Sequence, residues 1–388
     1  MSYRWYYSED LSNLEEVRKV EKNLLLFPSP GEIRKELRKG RPFSVFHSTE
    51  PPEDFPIFVE VYIPPKYAPY TEAEWKIIQA LEEKEEKDKV KAQILERKLK
   101  LKIHYPKLSF KNLVGAGKLK ETLSLVKRSF EVELPPGCSY KGVFLVGIPG
   151  VGKSYSAKCF AGEMGWALVE MNISRILEEE KPLSLLKRIF VNIERLSLRG
   201  EEKGIVLWID EIDKVFTEGE RERKLMGQLL TILEELNSPV GYKFKGLVWA
   251  TANDVSIIVE RNPEFFERFD ILFFIDLPSF KDAPSIISYY LNLYRVKPPE
   301  GYDEITVASF IKNASEKYKE VPQDRFPYVP REINKMLREL SIRARIMGRD
   351  CFTLEELEEF LNRVPPLVVR YDKAIQNMRE QKSYFIVV

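Results

Sequence analysis

Five short apolar runs, separated by longer stretches of helical pattern, occupy the middle of this 388-residue sequence. Each run is almost continuously apolar, which is typical of a parallel strand buried on both faces. Strands that alternate with helices predict a doubly wound α/β fold with a five-stranded parallel sheet. The runs are GVFLVG (142–147), ALVEM (167–171), GIVLWID (204–210), GLVWATAND (246–254) and ILFFIDL (271–277).

The residues before this region predict a small α+β module. Leu24–Phe27, Phe43–Phe46 and Ile57–Ile63 have strand-like composition, and SPGEIRKELRKG has the pattern of a helix start. From Thr71 a long charged helix is predicted, which ends before HYP at 104–106 because the residue before a proline disfavours the α region.

After Pro278 the strand pattern stops and four helical patterns follow to about Arg379. They are PSIISYYLNLY, ITVASFIKNASEKY, PREINKMLRELSIRARIMG and TLEELEEFLNRV. We therefore predict three domains: an N-terminal module (1–105), an α/β domain (106–278) and an all-helical domain (279–388).

Composition argues against several classes of protein. Because 61 Lys and Arg offset 60 Asp and Glu, no overall field attracts nucleic acid or an anionic membrane. The start MSYRWYYSED lacks a signal-peptide pattern, and no apolar stretch approaches the ~20 residues that span a bilayer. Cys138, Cys159 and Cys351 are far apart and only two histidines occur, which argues against disulfides and zinc. We expect a soluble cytoplasmic protein without a membrane partner, and the balanced charge argues against a nucleic-acid partner.

The segment GIPGVGKS, residues 147–154, fits the pattern G-x-x-x-x-G-K-[ST] between a predicted strand and a predicted helix. Its glycines let the backbone fold around an anion, and the following helix directs its positive dipole end at the same anion. Lys153 would contact the β- and γ-phosphates, and the Ser154 hydroxyl would bind Mg²⁺. The sequence therefore predicts a site for ATP and Mg²⁺. The predicted nucleotide contacts here are Gly147, Pro149, Gly150, Val151, Gly152, Lys153, Ser154 and Tyr155.

Polar residues also follow two later strands. GIVLWIDEID places Asp210 and Glu211 at the carboxyl edge of the predicted sheet, where open α/β sheets bind ligands. Asp210 would hold Mg²⁺, and Glu211 would polarise the attacking water. Asn253, in VWATAND, would orient that water or contact the γ-phosphate. A helix start at Asp210–Glu211 and a helix cap at Asn253 are the alternatives, and the upstream phosphate loop favours the catalytic interpretation.

The order of these segments resembles the AAA family of ATPases, a branch of AAA+, over about residues 106–375. The resemblance rests on GIPGVGKS, IVLWIDEID, VWATAND and PEFFERFD followed by ILFFIDLP. With VPPLVV, these segments are most similar to the chloroplast-ORF-type AAA ATPases of cyanobacteria and plastids. The resemblance implies a P-loop NTPase fold with a helical lid and ATP hydrolysis in a homo-oligomer. It also implies adenine contacts from the backbone of Val114 and Gly115, in LSFKNLVGAGKLKETL.

Two arginines gain a role from the resemblance. Arg268, in PEFFERFD, matches the arginine of the family's GRFD signature, which faces the next subunit and reaches its γ-phosphate, in a closed ring expected to be hexameric. The alternative is an ion pair with Glu267 or Asp270. Arg331 starts a lid helix where some AAA+ branches contact the γ-phosphate; the alternative is a solvated helix arginine.

The sequence departs from the family in two places. Members often have LLRPGRFD with two arginines, whereas FFERFD is two residues shorter and has one. Many AAA motors also grip peptide with an aromatic–glycine pair, whereas the corresponding NISRILEEEKPLSLL has no aromatic residue and carries Glu178–Glu180. We expect weaker activation in trans and no threading by an aromatic loop, unless the alignment has slipped in this variable segment.

Three functions are compatible with the sequence. The favoured one is an ATPase that remodels a protein partner bound through the N-terminal module, because the residues needed for hydrolysis are all present. The second is an ATP-switched assembly or recruitment module with slow turnover, which the two departures favour. The third is a DNA-associated AAA+ regulator, against which the near-zero net charge argues.

Overall fold

The computed structural model describes residues 2–7, 43–48, 72–99, 101–135, 138, 140–199, 203–216, 219–237, 245–380 and 385–388. Its strands are β1 (Ser2–Tyr7), β2 (Phe43–Ser48), β3 (Lys102–His104), β4 (Gly142–Gly147), β5 (Ala167–Asn172), β6 (Ile205–Asp210), β7 (Gly246–Ala252), β8 (Ile271–Ile275) and β9 (Ile386–Val387).

The main sheet has seven strands in the order β3-β5-β6-β7-β4-β8-β9. The five central strands run parallel, as the apolar runs predicted; β9 is parallel to β8, whereas β3 is antiparallel to β5. The predicted P-loop NTPase type of doubly wound α/β fold is therefore confirmed, with one additional strand at each edge. The prediction missed these edge strands because they contain three and two residues, too few to show a periodic pattern.

Fourteen helices accompany the strands in the described parts of the chain. They are α1 (Glu72–Ala80), α2 (Lys84–Leu99), α3 (Gly117–Ser129), α4 (Lys153–Met164), α5 (Ile173–Glu178), α6 (Pro182–Arg199), α7 (Glu220–Asn237), α8 (Ser256–Arg261), α9 (Ala283–Tyr294), α10 (Glu304–Ala314), α11 (Pro330–Ile346), α12 (Leu354–Arg363), α13 (Leu367–Arg370) and α14 (Asp372–Glu380). None of these helices is both long and apolar enough to cross a membrane.

The N-terminal region is described only in part. β1 and β2 form an antiparallel pair, and β2 contains the predicted strand Phe43–Phe46. The predicted strands Leu24–Phe27 and Ile57–Ile63, and the predicted helix start between the first two strands, lie outside the described residues.

The long helix predicted from Thr71 is two helices, α1 and α2. The break lets Ile78 and Leu95, one from each helix, be fully buried in the same apolar cluster. Arg97 donates a hydrogen bond of 3.3 Å to Glu74 and so joins the two helices on their outer side. Burial of both apolar side chains therefore overrides a continuous helical pattern.

The central sheet is buried on both faces, and paired tryptophans lie at its centre. Trp208 of β6 is directly opposite Trp249 of β7, and the two side chains are 4% and 0% exposed. Both indole Nε1 atoms are buried without a hydrogen-bond acceptor among the described residues. Lys158 of α4 lies over the Trp208 ring, 5.7 Å from its centroid.

Helices α9 to α12 enclose a separate apolar cluster, in which Ile287, Val307, Leu337 and Leu357 are fully buried. Val114, near the start of the α/β region, packs against the same cluster. The domain boundaries stay a prediction, and one part of the chain does not follow them: β9 returns to the sheet, although residues 279–388 are predicted to form a helical domain.

Candidate functional site

The phosphate-loop segment connects β4 to α4 and is supported from below by β8. A Cβ on Gly147, whose φ is +152°, would lie 2.1 Å from the carbonyl oxygen of Ile275, so this close approach requires glycine. The next amide, of Ile148, donates to the same Ile275 oxygen at 3.3 Å. The end of β8 therefore determines where the loop begins.

The far side of the loop contacts the helical part of the chain. Gly150 has a φ of +92°, and a Cβ there would lie 3.0 Å from the Cβ of Arg331. The amide of Arg331 donates to the carbonyl oxygen of Gly150 at 3.2 Å. Helix α11 thus begins directly on the loop, as Pro330 at its first position favours.

Lys153 is almost completely buried at the start of α4. Its Nζ donates to the carbonyl oxygens of Gly147 at 2.6 Å and Ile148 at 3.3 Å. Burial lowers the pKa of Lys153 to about 8, although the negative charges of Asp213 and Asp210 oppose this shift. The loop therefore already holds a partly desolvated amine through its own backbone carbonyls.

Asp210 is the centre of a small hydrogen-bond network. Its Oδ1 accepts from the Ser154 hydroxyl at 3.4 Å and from the Thr251 hydroxyl at 2.5 Å. The Thr251 oxygen in turn accepts from the Glu211 amide at 3.4 Å. Sequence reasoning missed Thr251, although strand alternation places it on the same face as Asn253.

Glu211 has a left-handed backbone, with a φ of +51°, which is uncommon for a residue with a side chain and marks local strain. Its carboxylate accepts from the Asn253 side-chain amide at 3.3 Å and pairs with Lys214. The Asn253 backbone amide donates to Asp213 at 3.3 Å, and burial raises the pKa of the Asp213 carboxyl. Asp213 is a second residue that sequence reasoning did not assign to the site.

Asp210, Glu211, Thr251 and Asn253 line a cavity of about 630 Å³ between the carboxyl edge of the sheet and helices α9 and α11, whereas Asp213 does not reach it. All the predicted site residues line it except Gly147, which lies beneath the loop, and Arg268. Val114 and Gly115, expected near adenine, are therefore brought to the same cavity as Lys153 and Asp210.

Two tyrosines of α9 also line the cavity and were not predicted. Tyr289 OH lies 3.4 Å from Tyr155 OH, and its ring centroid is 5.2 Å from that of Tyr290. In the sequence both tyrosines belong to an apolar helical pattern. Aromatic residues in such a pattern are normally part of a core, so the pattern did not indicate a site.

Arg268 ends a 3₁₀ turn, Pro263–Arg268. This turn lies at the amino ends of the parallel strands, whereas the cavity lies at their carboxyl ends. The Arg268 carbonyl oxygen would be 3.2 Å from a Cβ on Gly142, the first residue of β4. The six residues of β4 separate this end of the sheet from the phosphate loop by about 17 Å. Arg268 therefore does not reach the cavity of its own chain.

Neither Glu267 nor Asp270, the two ion-pair partners that the sequence suggested, is the partner of Arg268. A terminal nitrogen lies 3.6 Å from Glu234 on α7, while Nε is buried with no acceptor among the described residues. The Asp270 carboxylate instead accepts from the backbone amides of Lys141 at 2.6 Å and Gly142 at 2.8 Å. An ion pair with Glu267 or Asp270 is therefore not what the structure shows.

The acidic segment lies between two helices of the α/β region. Helix α5 ends at Glu178 and α6 begins at Pro182, and the side chains of Glu178 and Glu180 are exposed. The exposed carboxylates give this connection a polar surface.

Residues 143–277 match the family described as "ATPase family associated with various cellular activities (AAA)". The resemblance to AAA ATPases that the motifs predict is thus confirmed for the region that carries the phosphate loop, Asp210, Glu211 and Asn253.

The relatives point to a narrower group. The chain is 30% identical over 313 residues to the AAA domain-containing protein ycf46 of Guillardia theta, covering 76% of this chain and 55% of that protein. The predicted similarity to chloroplast-ORF-type AAA ATPases is therefore confirmed. The chain spans about half the length of the curated relatives it matches.

Solved structures support the fold. The FIGL-1 AAA domain has a TM-score of 0.56 at 17% identity, covering 84% of this chain and 99% of that domain. Its complex with ADP has a TM-score of 0.55 at 18% identity, covering 74% of this chain and 93% of that chain.

Proposed function

We propose that this chain is an AAA ATPase that binds Mg-ATP in the cavity beside Lys153 and hydrolyses it within a homo-oligomeric ring. One observation carries the proposal: Lys153, Asp210 and Glu211 converge on a single cavity. An amine for the phosphates, an oxygen ligand for a cation and a carboxylate for water are the three components that phosphoryl transfer requires.

The residues present fit a magnesium ion. Ser154 and Asp210 offer hard oxygen donors next to one another, and their oxygens are 3.4 Å apart. No group of three or more His, Cys, Asp or Glu side chains within the described residues could hold a metal by itself. This suits Mg²⁺, which takes few protein ligands and completes its shell with phosphate and water. When bound, Mg²⁺ would neutralise phosphate charge.

The chain's own residues divide the remaining tasks. Lys153 would exchange its loop carbonyls for phosphate oxygens, which are far stronger acceptors for an ammonium group. Glu211 would accept a proton from the attacking water, and Asn253 would hold the Glu211 carboxylate in place through their hydrogen bond. Arg331 would contact the γ-phosphate from the lid side, and Val114 and Gly115 would contact the base.

The ring follows from the position of Arg268. Because this arginine lies about 17 Å from its own phosphate loop, it would act on the nucleotide of a neighbouring copy. A head-to-tail contact forms a ring when its rotation closes, and we propose a closed, hexameric ring. The partly buried guanidinium, paired only loosely with Glu234, would then gain a phosphate as its partner.

We further propose that residues 1–105 bind the protein partner on which the ATPase acts. A second candidate is an ATP-switched assembly module with slow turnover. The exposed Glu178 and Glu180 favour this candidate, because carboxylates would not grip an apolar polypeptide. The two functions differ in whether turnover accompanies assembly.

The test mixes two variants. Glu211→Gln should keep nucleotide binding but lower kcat by about 10²–10⁴-fold, and Arg268→Ala should lower it by about 10³-fold or more. In an equal mixture, about a quarter of the head-to-tail contacts combine an intact Glu211 with an intact Arg268. Activity should therefore reappear on mixing, measured as phosphate release.

Glu358→Gln, on the exposed face of α12, is the matched control and should turn over as the parent does. No recovery in mixed oligomers of normal size rejects the role of Arg268 in trans. A parent chain that binds no ATP rejects the whole proposal, whereas ATP-dependent assembly with negligible turnover supports the switch.

A further inference from the structure

The end of the chain lies against the carboxyl edge of the sheet, beside the cavity. We call residues 379–380 and 385–388 the C-terminal strap. Within it, β9 pairs with β8 so that Ile386 is opposite Phe273. The Val388 amide donates to Phe274 at 3.0 Å, and the Asp276 amide donates to Val388 at 3.4 Å. The strap therefore extends the sheet as far as the cavity wall, which includes Val388.

A bidentate ion pair between Arg379 and Asp276 holds the strap in place. Arg379 contacts both carboxylate oxygens of Asp276, with Nε 3.1 Å from Oδ2 and a terminal nitrogen 2.8 Å from Oδ1. The two side chains are 18% and 10% exposed, so solvent screens this pair much less than a surface pair. The Asp276 carboxylate also accepts from the Leu277 amide at 2.7 Å.

Asp276 occupies a position that matters for the phosphate loop. It directly follows Ile275, whose carbonyl oxygen receives the Ile148 amide and leaves no room for a side chain at Gly147. Any shift in the end of β8 therefore moves the first residues of the loop. Asp276 also lines the cavity, where an uncompensated carboxylate would repel a polyphosphate.

Phe385 of the strap packs against aromatic residues of the α/β region. The Phe385 ring is buried, 6.2 Å from Phe144 of β4 and 5.5 Å from Phe266. Phe266 belongs to the turn that carries Arg268. Packing at Phe385 and the ion pair at Arg379 are thus two separate contacts that hold the strap against the sheet.

We propose that the C-terminal strap is part of the nucleotide site, with Arg379 as a positioning residue for the phosphate loop. Arg379 holds Asp276, and with it the end of β8, beneath Gly147, and it cancels the negative charge of Asp276 beside the phosphates. This inference rests on the proposed nucleotide site. It adds to that site a second cationic side chain, Arg379, which follows Lys153 by 226 positions in the chain.

The test compares Arg379→Gln, Asp276→Asn and the double variant in the full chain. Arg379→Gln leaves the Asp276 charge uncompensated, so the Kd for fluorescent ADP should rise about tenfold. Asp276→Asn removes the repulsive charge but keeps a side-chain oxygen that can still accept from Arg379 and from the Leu277 amide. The end of β8 should therefore stay in place, and the Kd should be unchanged or lower. The double variant should match Asp276→Asn, because the effect of Arg379 passes through Asp276.

Arg343→Gln is the matched control, since it breaks the pair with Glu359 between α11 and α12. The Kd should not change in this variant. The Arg379→Gln effect should also shrink as salt is added, because it is electrostatic.

Two outcomes overturn the inference while the parent chain still binds ADP: an unchanged Kd in Arg379→Gln, or a weakened Asp276→Asn. The last of these can be read even if Arg379→Gln does not fold. A parent chain that fails to bind ADP instead overturns the proposed function itself.

Discussion

The backbone amide of Arg331 donates a 3.2 Å hydrogen bond to the carbonyl oxygen of Gly150. This bond joins the first turn of α11 to the phosphate loop at Gly150, whose φ is +92°. The Arg331 side chain is exposed at the cavity wall. The backbone contact and the guanidinium can therefore be separated by mutation.

Arg331→Ala should weaken ATP binding about tenfold while ADP binding changes little. The backbone bond to Gly150 survives the substitution, so the loop keeps its shape, and only a charge that would contact the γ-phosphate is lost. Competitive displacement of a fluorescent nucleotide measures both affinities. Arg338→Ala is the control, since it lies on the same helix face about 10 Å farther along. Equal losses for ATP and ADP would show that Arg331 does not distinguish them.

Thr251→Val should lower ATP turnover about tenfold and raise the Mg²⁺ concentration needed for half-maximal rate. The Thr251 hydroxyl both donates to Asp210 and accepts from the Glu211 amide, so its loss leaves two polar groups without that partner. Thr251→Ser should restore both values. Thr231→Val, whose hydroxyl bonds only its own helix among the described contacts, serves as control. A Val variant with normal Mg²⁺ dependence would remove Thr251 from the site.

Arg268→Met should leave the Tm of the nucleotide-free protein unchanged or raise it. The Nε atom is buried without an acceptor among the described residues, and the Glu234 partner is 3.6 Å away and largely exposed. An apolar side chain of similar length avoids that desolvation cost. Arg379→Met, which breaks the shielded pair with Asp276, should lower the Tm and provides the comparison. A large destabilisation by Arg268→Met would indicate a structural role for this arginine.

Thiol reactivity should distinguish two cysteines. Burial raises the pKa of the Cys159 thiol to about 12, and this side chain is fully buried in α4 behind the phosphate loop. Cys138 is exposed. Since the thiolate is the reactive form, iodoacetamide at neutral pH should modify Cys138 and spare Cys159 until denaturant is added. Peptide mass spectrometry reads out both sites, and equal rates in the native protein would contradict the buried position.

The five central strands could be predicted because each forms a run long enough to be recognised against the helices around it. The helix from Thr71 could not be divided correctly, because the break depends on the joint burial of Ile78 and Leu95. Local pattern contains no information about which two apolar residues, seventeen positions apart, share a cluster.

In the candidate site, too, some contacts could be predicted from the sequence and others could not. Asp210, Glu211 and Asn253 could be placed together because parallel strands bring their carboxyl ends to one edge. The Arg379–Asp276 pair joins residues 103 positions apart and belongs to no motif, so only the folded chain reveals it. The alternative partners of Arg268 within its own chain, Glu267 and Asp270, are its neighbours in sequence, whereas the structure places Glu234 of another helix 3.6 Å from it.

The opposed tryptophans have a practical consequence. Trp208 and Trp249 each lie two residues before a site residue, Asp210 and Thr251, and strand alternation puts each indole on the same face as that side chain. Their shielded rings contribute to an intrinsic, label-free ultraviolet emission, to which the chain's three other tryptophans also contribute. A shift in that emission on adding nucleotide would let turnover and occupancy be followed in the unmodified polypeptide.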